Sequence, residues 1–538
     1  MILENIEGGK DMAIVVKNSP YIMGIDLGTS NSAIAAYLRG NAEIIPIDGD
    51  NTCPAVVNVR DNGEIIVGRQ ARSRMMIDPD NTVPSIKRQM GTEWKKEFAG
   101  LAGKEYTPQD LSAEILNKLI MGAQEAGTIE LRGTPKYVVI CTPANFNDSQ
   151  KQATREAGAL ANLDVLYLLE EPIAAAIAYG MDRERDQTIL VYDLGGGTFD
   201  VSILKIDSAT KGPSQFKVLA KAGVNQLGGD DFDMEIMRIV ADKFLTSSNV
   251  DIMDLKNDQG ISVKSLREAQ QKLKDAAERA KMDLTEAQTA TISIPNLIKD
   301  ESGNVHNVDL EISRKEFNEA IRPLIMQSKE AIQRALDEGS ITIEDISRIV
   351  LVGGSTRVPL VKEMLTEMFG KEPYSDANPD VIVARGAAIF GATLGVPAEK
   401  INETEEIRDE DQPDTTITIN NIVTHFLGIE VSGGKFNCLL DKGLEIPQDL
   451  PLSVSKEYTT QRDNQTEIMI RVYQSEISTE YVNENGVQCI GEFFLTGIPP
   501  KSRGQERITV AFSIDQQNLL KVEASSSGSK GALDIQRS

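Results

Sequence analysis

Two stretches of this chain read as strand, aspartate, glycine turn, strand, and they restrict its fold more than any other feature. One is Tyr21-Ile-Met-Gly-Ile-Asp-Leu-Gly-Thr-Ser-Asn-Ser32, running on into Ala33-Ile-Ala-Ala-Tyr37. The other is the apolar run Thr188–Tyr192, then Asp193-Leu-Gly-Gly-Gly-Thr-Phe-Asp-Val-Ser202 and the apolar continuation to Ile206. Flanks rich in β-branched and aromatic residues, punctuated by glycine, predict two hairpins. In the second, the backbone N–H groups from Gly195 to Thr198 carry almost no side-chain cover. Such a turn can wrap an anion, with the Thr198 hydroxyl as a further donor. Asp193 at the strand end is placed to hold a cation beside that anion. Alone, the stretch fits a bare glycine hairpin as well as a phosphate cradle. Its twin, with Asp26, Gly28 and Thr29 in the same order, points to an internal duplication and hence to a clamp of two facing turns. Neither copy is a P-loop. GxxxxGK[ST] and GxGxxG are absent, and both turns run into strands, so no helix dipole is on offer.

The remaining chain alternates helix and strand as far as residue 396. Helices are predicted over Pro108–Ala126, Asp148–Ala161, Glu170–Gly180 (with Pro172 in its first turn) and Lys264–Asp283. Tyr137–Cys141 reads as a buried strand. Glu171 then sits near a helix N-terminus, where a carboxylate is favoured and where plain capping is its simplest role. Gly228-Gly-Asp-Asp231 is a further glycine turn. Glu278, Lys281 and Thr285 share one helix face by their i, i+3, i+7 spacing, which most often marks a solvated surface. Arg348–Val352 is an apolar strand closing on Gly353-Gly354, with a helix from Leu360 to Phe369. Such a unit can seat a phosphate, sugar or base against bare backbone. Residues 397–413 are strongly acidic and read as a solvated linker or a frayed helix end. Beyond residue 421, short alternating strands between Gly, Pro, Asn and Asp predict an all-β sandwich.

The 538 residues suffice for several domains, and 41% hydrophobic with 25% charged residues is ordinary for a soluble chain. A net charge of −25 argues against nucleic acid and against an anionic membrane surface as partners. No apolar segment is long enough to span a bilayer, and the N-terminus lacks a signal-peptide pattern, so the default is cytoplasmic. Cys53, Cys141, Cys438 and Cys489 show no metal or disulfide spacing, which suits a reducing compartment. His306 and His425 read as structural.

Three separated motifs now carry a likeness. Ile25-Asp-Leu-Gly-Thr-Ser-Asn-Ser32, Asp193–Ser202 and Val352-Gly-Gly-Ser-Thr-Arg-Val-Pro359 together resemble the DnaK-type heat-shock chaperones of the 70-kDa class. Asn81–Arg88, Thr142–Gln150 and Leu495–Pro500 extend the likeness over residues 21–538. The short segment between Gly91 and Pro108 resembles the bacterial branch. The resemblance implies an α/β, actin-like (ribonuclease H-like, duplicated) ATPase domain at 21–396 and an acidic interdomain linker at 397–421. A β-sandwich substrate-binding domain at 422–538 would follow, with residues 1–20 as an N-terminal extension. It implies ATP/ADP with Mg²⁺ and K⁺ as cofactors. Gly28, Thr29 and Ser30 would hold phosphates from one side, and Gly195, Gly196, Gly197 and Thr198 from the other. Asp26 and Asp193 would position Mg²⁺, and Asp26 with Asp200 K⁺. Lys87 would orient the attacking water, with Glu171 supporting it. Glu278, Lys281, Thr285, Gly353, Gly354, Ser355, Arg357 and Asp380 would form the adenosine pocket. Ile429, Val431, Tyr458, Ile468 and Ile470 would form the groove for an extended apolar peptide, as strand addition requires.

Several positions depart from the family pattern. The apolar linker becomes Thr416-Ile-Thr-Ile-Asn-Asn421, with Asn421 where an aspartate is expected. Tyr167, Glu170 and Ile173 replace arginine, asparagine and threonine on the surface for J-domain proteins, which reads against dependence on such a partner. An exchange factor of the GrpE type remains compatible. Ser432 and Gln461 stand where apolar side chains arch over bound peptide. The chain stops at Leu533–Ser538, where a helical lid would begin. The expected function is an ATP-dependent chaperone and ATPase for unfolded or partly folded polypeptides, acting in protein folding and stress response. The rival expectation is an ATP-switched regulatory or scaffold module with one dedicated partner. A sugar kinase of the same superfamily has no use for the sandwich.

Overall fold

The computed structural model describes residues 17–101, 103–127, 130–180, 187–207, 214–256, 260–374, 378–413, 416–448 and 450–534. Most of the N-terminal extension, and the last four residues of the expected lid boundary, therefore lie outside the described residues.

The two sequence twins begin two sheets of like design. In the first sheet the strands run in the order Asp164–Glu170, Tyr137–Thr142, Met23–Asp26, Asn31–Leu38, Asn41–Ile44. In the second the order is Arg348–Val352, Gln187–Leu194, Phe199–Asp207, Ser214–Val224, Ile417–Asn420. Each glycine hairpin is antiparallel, and the strand beside its first arm is parallel to it. A bridge from Val350 to Tyr374 continues the second sheet on the side where the first has Asp164–Glu170.

The strands read as unbroken apolar runs because both faces are covered. Along Gln187–Leu194 the side chains alternate between two cores. Leu190, Tyr192 and Leu194 pack with the outer helices of their own lobe. Ile189 and Val191 face a core shared by both sheets. That shared core holds the alanine-rich helices Glu171–Gly180 and Ile382–Leu394. They approach so closely that a Cβ on Gly386 would overlap the Ala174 carbonyl, and one on Gly24 the backbone of Ala388. Two further subdomains cap the lobes. One is the small sheet of Val56–Val59, Ile65–Val67 and Thr82–Pro84; the other comprises helices Gly229–Ser248 and Val263–Glu286 with the hairpin Thr289–Lys299/Val305–Ser313.

From residue 422 two four-stranded antiparallel sheets face each other. One contains Phe426–Val431 and Glu467–Ser475, the other Leu452–Thr459 and Arg507–Ile514. Leu427, Val472, Val510, Phe512 and Val522 fill the space between them. The sandwich docks on both lobes: Tyr167 Oη donates to Gln516 O at 3.3 Å, Gln517 accepts from Leu168 N at 3.1 Å, and Lys442 pairs with Glu338 at 2.9 Å.

Three expectations need adjustment. Glu170 does not open a helix; it ends the strand Asp164–Glu170, and the helix starts at Glu171. Gly228 is the N-cap of the helix Gly229–Ser248, where Asp231 caps its N–H. The acidic stretch is not solvated throughout. Glu399, Glu403, Asp409 and Glu410 are exposed, but Asp411 is buried and accepts from Tyr21 Oη at 2.5 Å and Arg39 N at 2.6 Å. Past it, Ile417–Asn420 adds a parallel edge strand to Ser214–Lys217, burying Ile419.

Candidate functional site

The two glycine turns face one another. A Cβ on Gly196 would overlap Ser30 Oγ, and one on Gly197 would lie 2.9 Å from Thr29 Cγ2. Between the lobes opens a cleft of about 910 Å³, within the range of sites for small ligands. Its walls bring together Asp26, Gly28, Thr29, Ser30, Lys87, Glu171, Asp193, Gly195, Gly196 and Thr198 at one end. Glu278, Lys281, Thr285, Gly353, Gly354, Ser355, Arg357 and Asp380 stand at the other. Residues from well-separated segments between Asp26 and Val383 thus meet in one cavity. Gly197 and Asp200 do not line it; Asp200 lies buried behind it.

At the end of the glycine turns Lys87 Nζ donates to Glu171 Oε1 at 2.5 Å, with both side chains at most a tenth exposed. Burial works against the Lys87 ammonium, but Glu171, Asp26 and Asp193 outweigh it, and the lysine is held charged above its ordinary range. The carboxyls feel the opposite strain. Burial, then the Glu171 charge, raises Asp26 and Asp193 above the usual carboxylate range and Asp200 to about 8. Asp193 Oδ2 and Asp200 Oδ1 are buried without a hydrogen-bond partner among the described residues. Two of these three carboxyls thus keep an orphaned oxygen; among the described residues no group of three or more His, Cys, Asp or Glu side chains is set to enclose a metal directly, so the pair fits a hard cation held largely through water, as Mg²⁺ tolerates.

At the other end, Gly353 at φ 82° turns the chain after its strand, and a Cβ there would overlap Leu194. Ser355 Oγ donates to Gly195 O at 2.8 Å, tying the third motif to the second. Arg357 pairs with Asp380 at 2.8 Å. The helix face of Glu278, Lys281 and Thr285 does point at the cleft. Two groups there were not singled out in the sequence. Lys281 is held by Asp233 at 2.7 Å, and Glu278 pairs with Arg72 across the cleft, 206 residues away. Arg88, beside Lys87, also escaped notice; it donates to Gly196 O at 3.1 Å and pairs with Asp231 at 3.3 Å. Only the neighbourhood of Lys87 hinted at it.

In the sandwich Ile429 and Ile470 belong to the buried core, whereas Val431, Tyr458 and Ile468 are half-buried beside it. Tyr458 Oη donates to Asn437 Oδ1 at 2.7 Å. Ser432 and Gln461 are exposed. His306 has a partner, Asp300, at 3.0 Å.

The family model described as Hsp70 protein matches residues 22–537, across both the cleft and the sandwich. The chain belongs to the Hsp70 family. Among its relatives is the chaperone protein DnaK of Thermotoga neapolitana, 41% identical over 521 residues, covering 96% of this chain and 80% of that protein. The chaperone protein DnaK of Thermosipho melanesiensis is 40% identical over 514 residues, covering 94% and 78%. The chaperone protein DnaK of Halobacterium salinarum is 40% identical over 518 residues, covering 96% and 75%. This Hsp70 protein is an ATP-dependent molecular chaperone and an ATPase. Membership implies an actin-like ATPase region followed by a β-sandwich substrate region. Among the described residues no helix is long and apolar enough to cross a membrane.

Proposed function

We propose that ATP binds in the cleft with its phosphates between the two glycine turns, and that its hydrolysis sets the grip of the sandwich on extended apolar polypeptide. The observation that carries this reading is the convergence of both turns on the buried Lys87–Glu171 pair. Backbone N–H groups and hydroxyls of Gly28, Thr29, Ser30, Gly195, Gly196, Gly197 and Thr198 hold and orient the phosphates. Lys87, kept charged by Glu171, neutralises charge that builds at the γ-phosphate and fixes the attacking water. Asp26 and Asp193 would hold Mg²⁺, which supplies neutralisation of the phosphate charge, and Asp26 with Asp200 would hold K⁺. The adenosine is held by Glu278, Lys281, Thr285, Gly353, Gly354, Ser355, Arg357 and Asp380.

Residues 21–396 then act as the ATPase domain, 397–421 as the linker and 422–538 as the peptide-binding domain. Ile429, Val431, Tyr458, Ile468 and Ile470 take the peptide. The half-buried edge of Val431, Tyr458 and Ile468 supports such a groove, while Ile429 and Ile470 contribute its floor from the core. Exposed, polar Ser432 and Gln461 cover it poorly, so peptide leaves quickly. A GrpE-type exchange factor is compatible with this reading, whereas Tyr167, Glu170, Ile173 and Asn421, engaged within the chain, speak against dependence on a J-domain protein. The test is release of a fluorescent, extended leucine-rich heptapeptide from the full chain. The expected result is release accelerated by ATP for many apolar sequences. No peptide binding, with one protein partner retained instead, supports the scaffold reading and overturns this one.

A further inference from the structure

Glu170 and Asn421 meet at a junction of four segments: the end of the strand Asp164–Glu170, the strand Ser214–Val224, the linker and the sandwich loop at 515–519. We infer that Glu170 and Asn421 are a matched pair that latches the sandwich onto the ATPase region, and that an amide at 421 is required because the carboxylate stands at 170. Glu170, Lys221, Asn421 and Asn518 are each at most 4% exposed, so their polar atoms depend on partners inside the protein; all find one except Asn518 Oδ1.

The bonding is specific in direction. Glu170 Oε2 accepts from Lys221 Nζ, and Glu170 Oε1 accepts from Asn421 Nδ2 at 3.3 Å and from Asn518 Nδ2 at 3.4 Å. Lys221 Nζ also donates to Asn421 Oδ1 at 2.7 Å. Asn421 therefore accepts from the ammonium with one side-chain atom and donates to the carboxylate with the other. Only an amide can do both; an aspartate would place a second carboxylate against Glu170 with nothing to donate. The same Nδ2 reaches Gln516 O at 3.3 Å, and Asn421 N donates to Gln516 Oε1 at 3.2 Å, which carries the contact into the sandwich. A second ammonium approaches, Lys151 Nζ at 3.8 Å from Glu170 Oε1, and the buried carboxyl of Asp148 lies one turn before Lys151 on the same helix. Glu170 also adjoins Glu171, which turns the other way to hold Lys87. Consecutive residues thus serve the latch and the cleft, so a shift of this strand end reaches both.

The test is hydrogen exchange at the amides of Ile417–Asn420 and 516–519 in the full chain, with and without ATP, for wild type, Asn421→Asp, Glu170→Gln and the double variant. Exchange at Ile189–Tyr192 serves as the folding control. In whichever condition protects these amides in the wild type, Asn421→Asp accelerates their exchange about tenfold or more, through like charges in a dry site. Adding Glu170→Gln, whose amide donates to the new carboxylate, brings exchange back to within about threefold of wild type. The latch is refuted by an Asn421→Asp variant as protected as wild type, by a double variant as exposed as the single one, or by a wild type unprotected in both conditions. Because variants are compared under one nucleotide condition, the outcome does not depend on what ATP hydrolysis drives.

Discussion

Lys87 Nζ and Glu171 Oε1 lie 2.5 Å apart at the closed end of the cleft, 84 residues distant in sequence. The contact favours the charged lysine in a place where burial works against it. The same carboxylate also raises Asp26, Asp193 and Asp200. Glu171→Gln keeps the shape and removes the charge. It is expected to slow single-turnover ATP hydrolysis about a hundredfold, with ATP affinity within about threefold of wild type.

Gly228 sits against the second glycine turn in extended backbone, φ −176°, so alanine there suffers no dihedral strain. Its Cβ, however, would overlap the Gly196 carbonyl carbon and lie 2.5 Å from Gly197 N. The turn must move, and the N–H groups proposed to hold the phosphates move with it. Gly228→Ala should weaken ATP binding about tenfold or more by titration calorimetry.

Acid should loosen the junction beneath the sandwich. Burial, and then the ammonium groups of Lys442, Lys151 and Lys221, pushes His425 down from 6.5 to about 4. A histidine depressed on folding contributes stability that is fully present above 6.5 and lost as pH falls through 4, here up to about 3 kcal/mol. Burial raises Asp148 from 3.8 to about 6, and that group works the other way: its penalty at neutral pH is relieved as pH falls through 6. Urea unfolding at pH 7 and pH 4.5 should show His425→Gln losing less stability on acidification than wild type.

Tyr458 is half-buried and donates to Asn437 Oδ1 at 2.7 Å. Tyr458→Phe removes one neutral hydrogen bond and is expected to cost about 1 kcal/mol in the unfolding of the sandwich, read by hydrogen exchange at the core amides of Val510 and Val522. ATP turnover should not change.

What the sequence disclosed follows from how local each signal is. The glycine turns with Asp26 and Asp193 were legible because backbone need and residue type coincide within a few positions. The shared face of Glu278, Lys281 and Thr285 was legible from helical spacing, though spacing alone favoured solvent. Arg72, Asp233 and Arg88 were not legible, since their partners come from distant parts of the chain, across the cleft for Arg72 and Arg88 and on the neighbouring helix for Asp233. Glu170 read as a helix start because it precedes Glu171-Pro172. It ends a strand because its carboxylate is claimed by Lys221 and Asn421. Asp411, inside an acidic run, read as solvated until Tyr21 and the Arg39 amide were placed beside it.

The most direct test of the account is a single-turnover measurement on Lys87→Ala with ATP and Mg²⁺. Lys87 lines the cleft with both glycine turns, and Glu171, Asp26 and Asp193 together favour its charged form. Its loss should leave ATP bound, through the turns and the adenosine end, while hydrolysis falls by about a hundredfold or more. Hydrolysis at the wild-type rate in that variant would contradict the account.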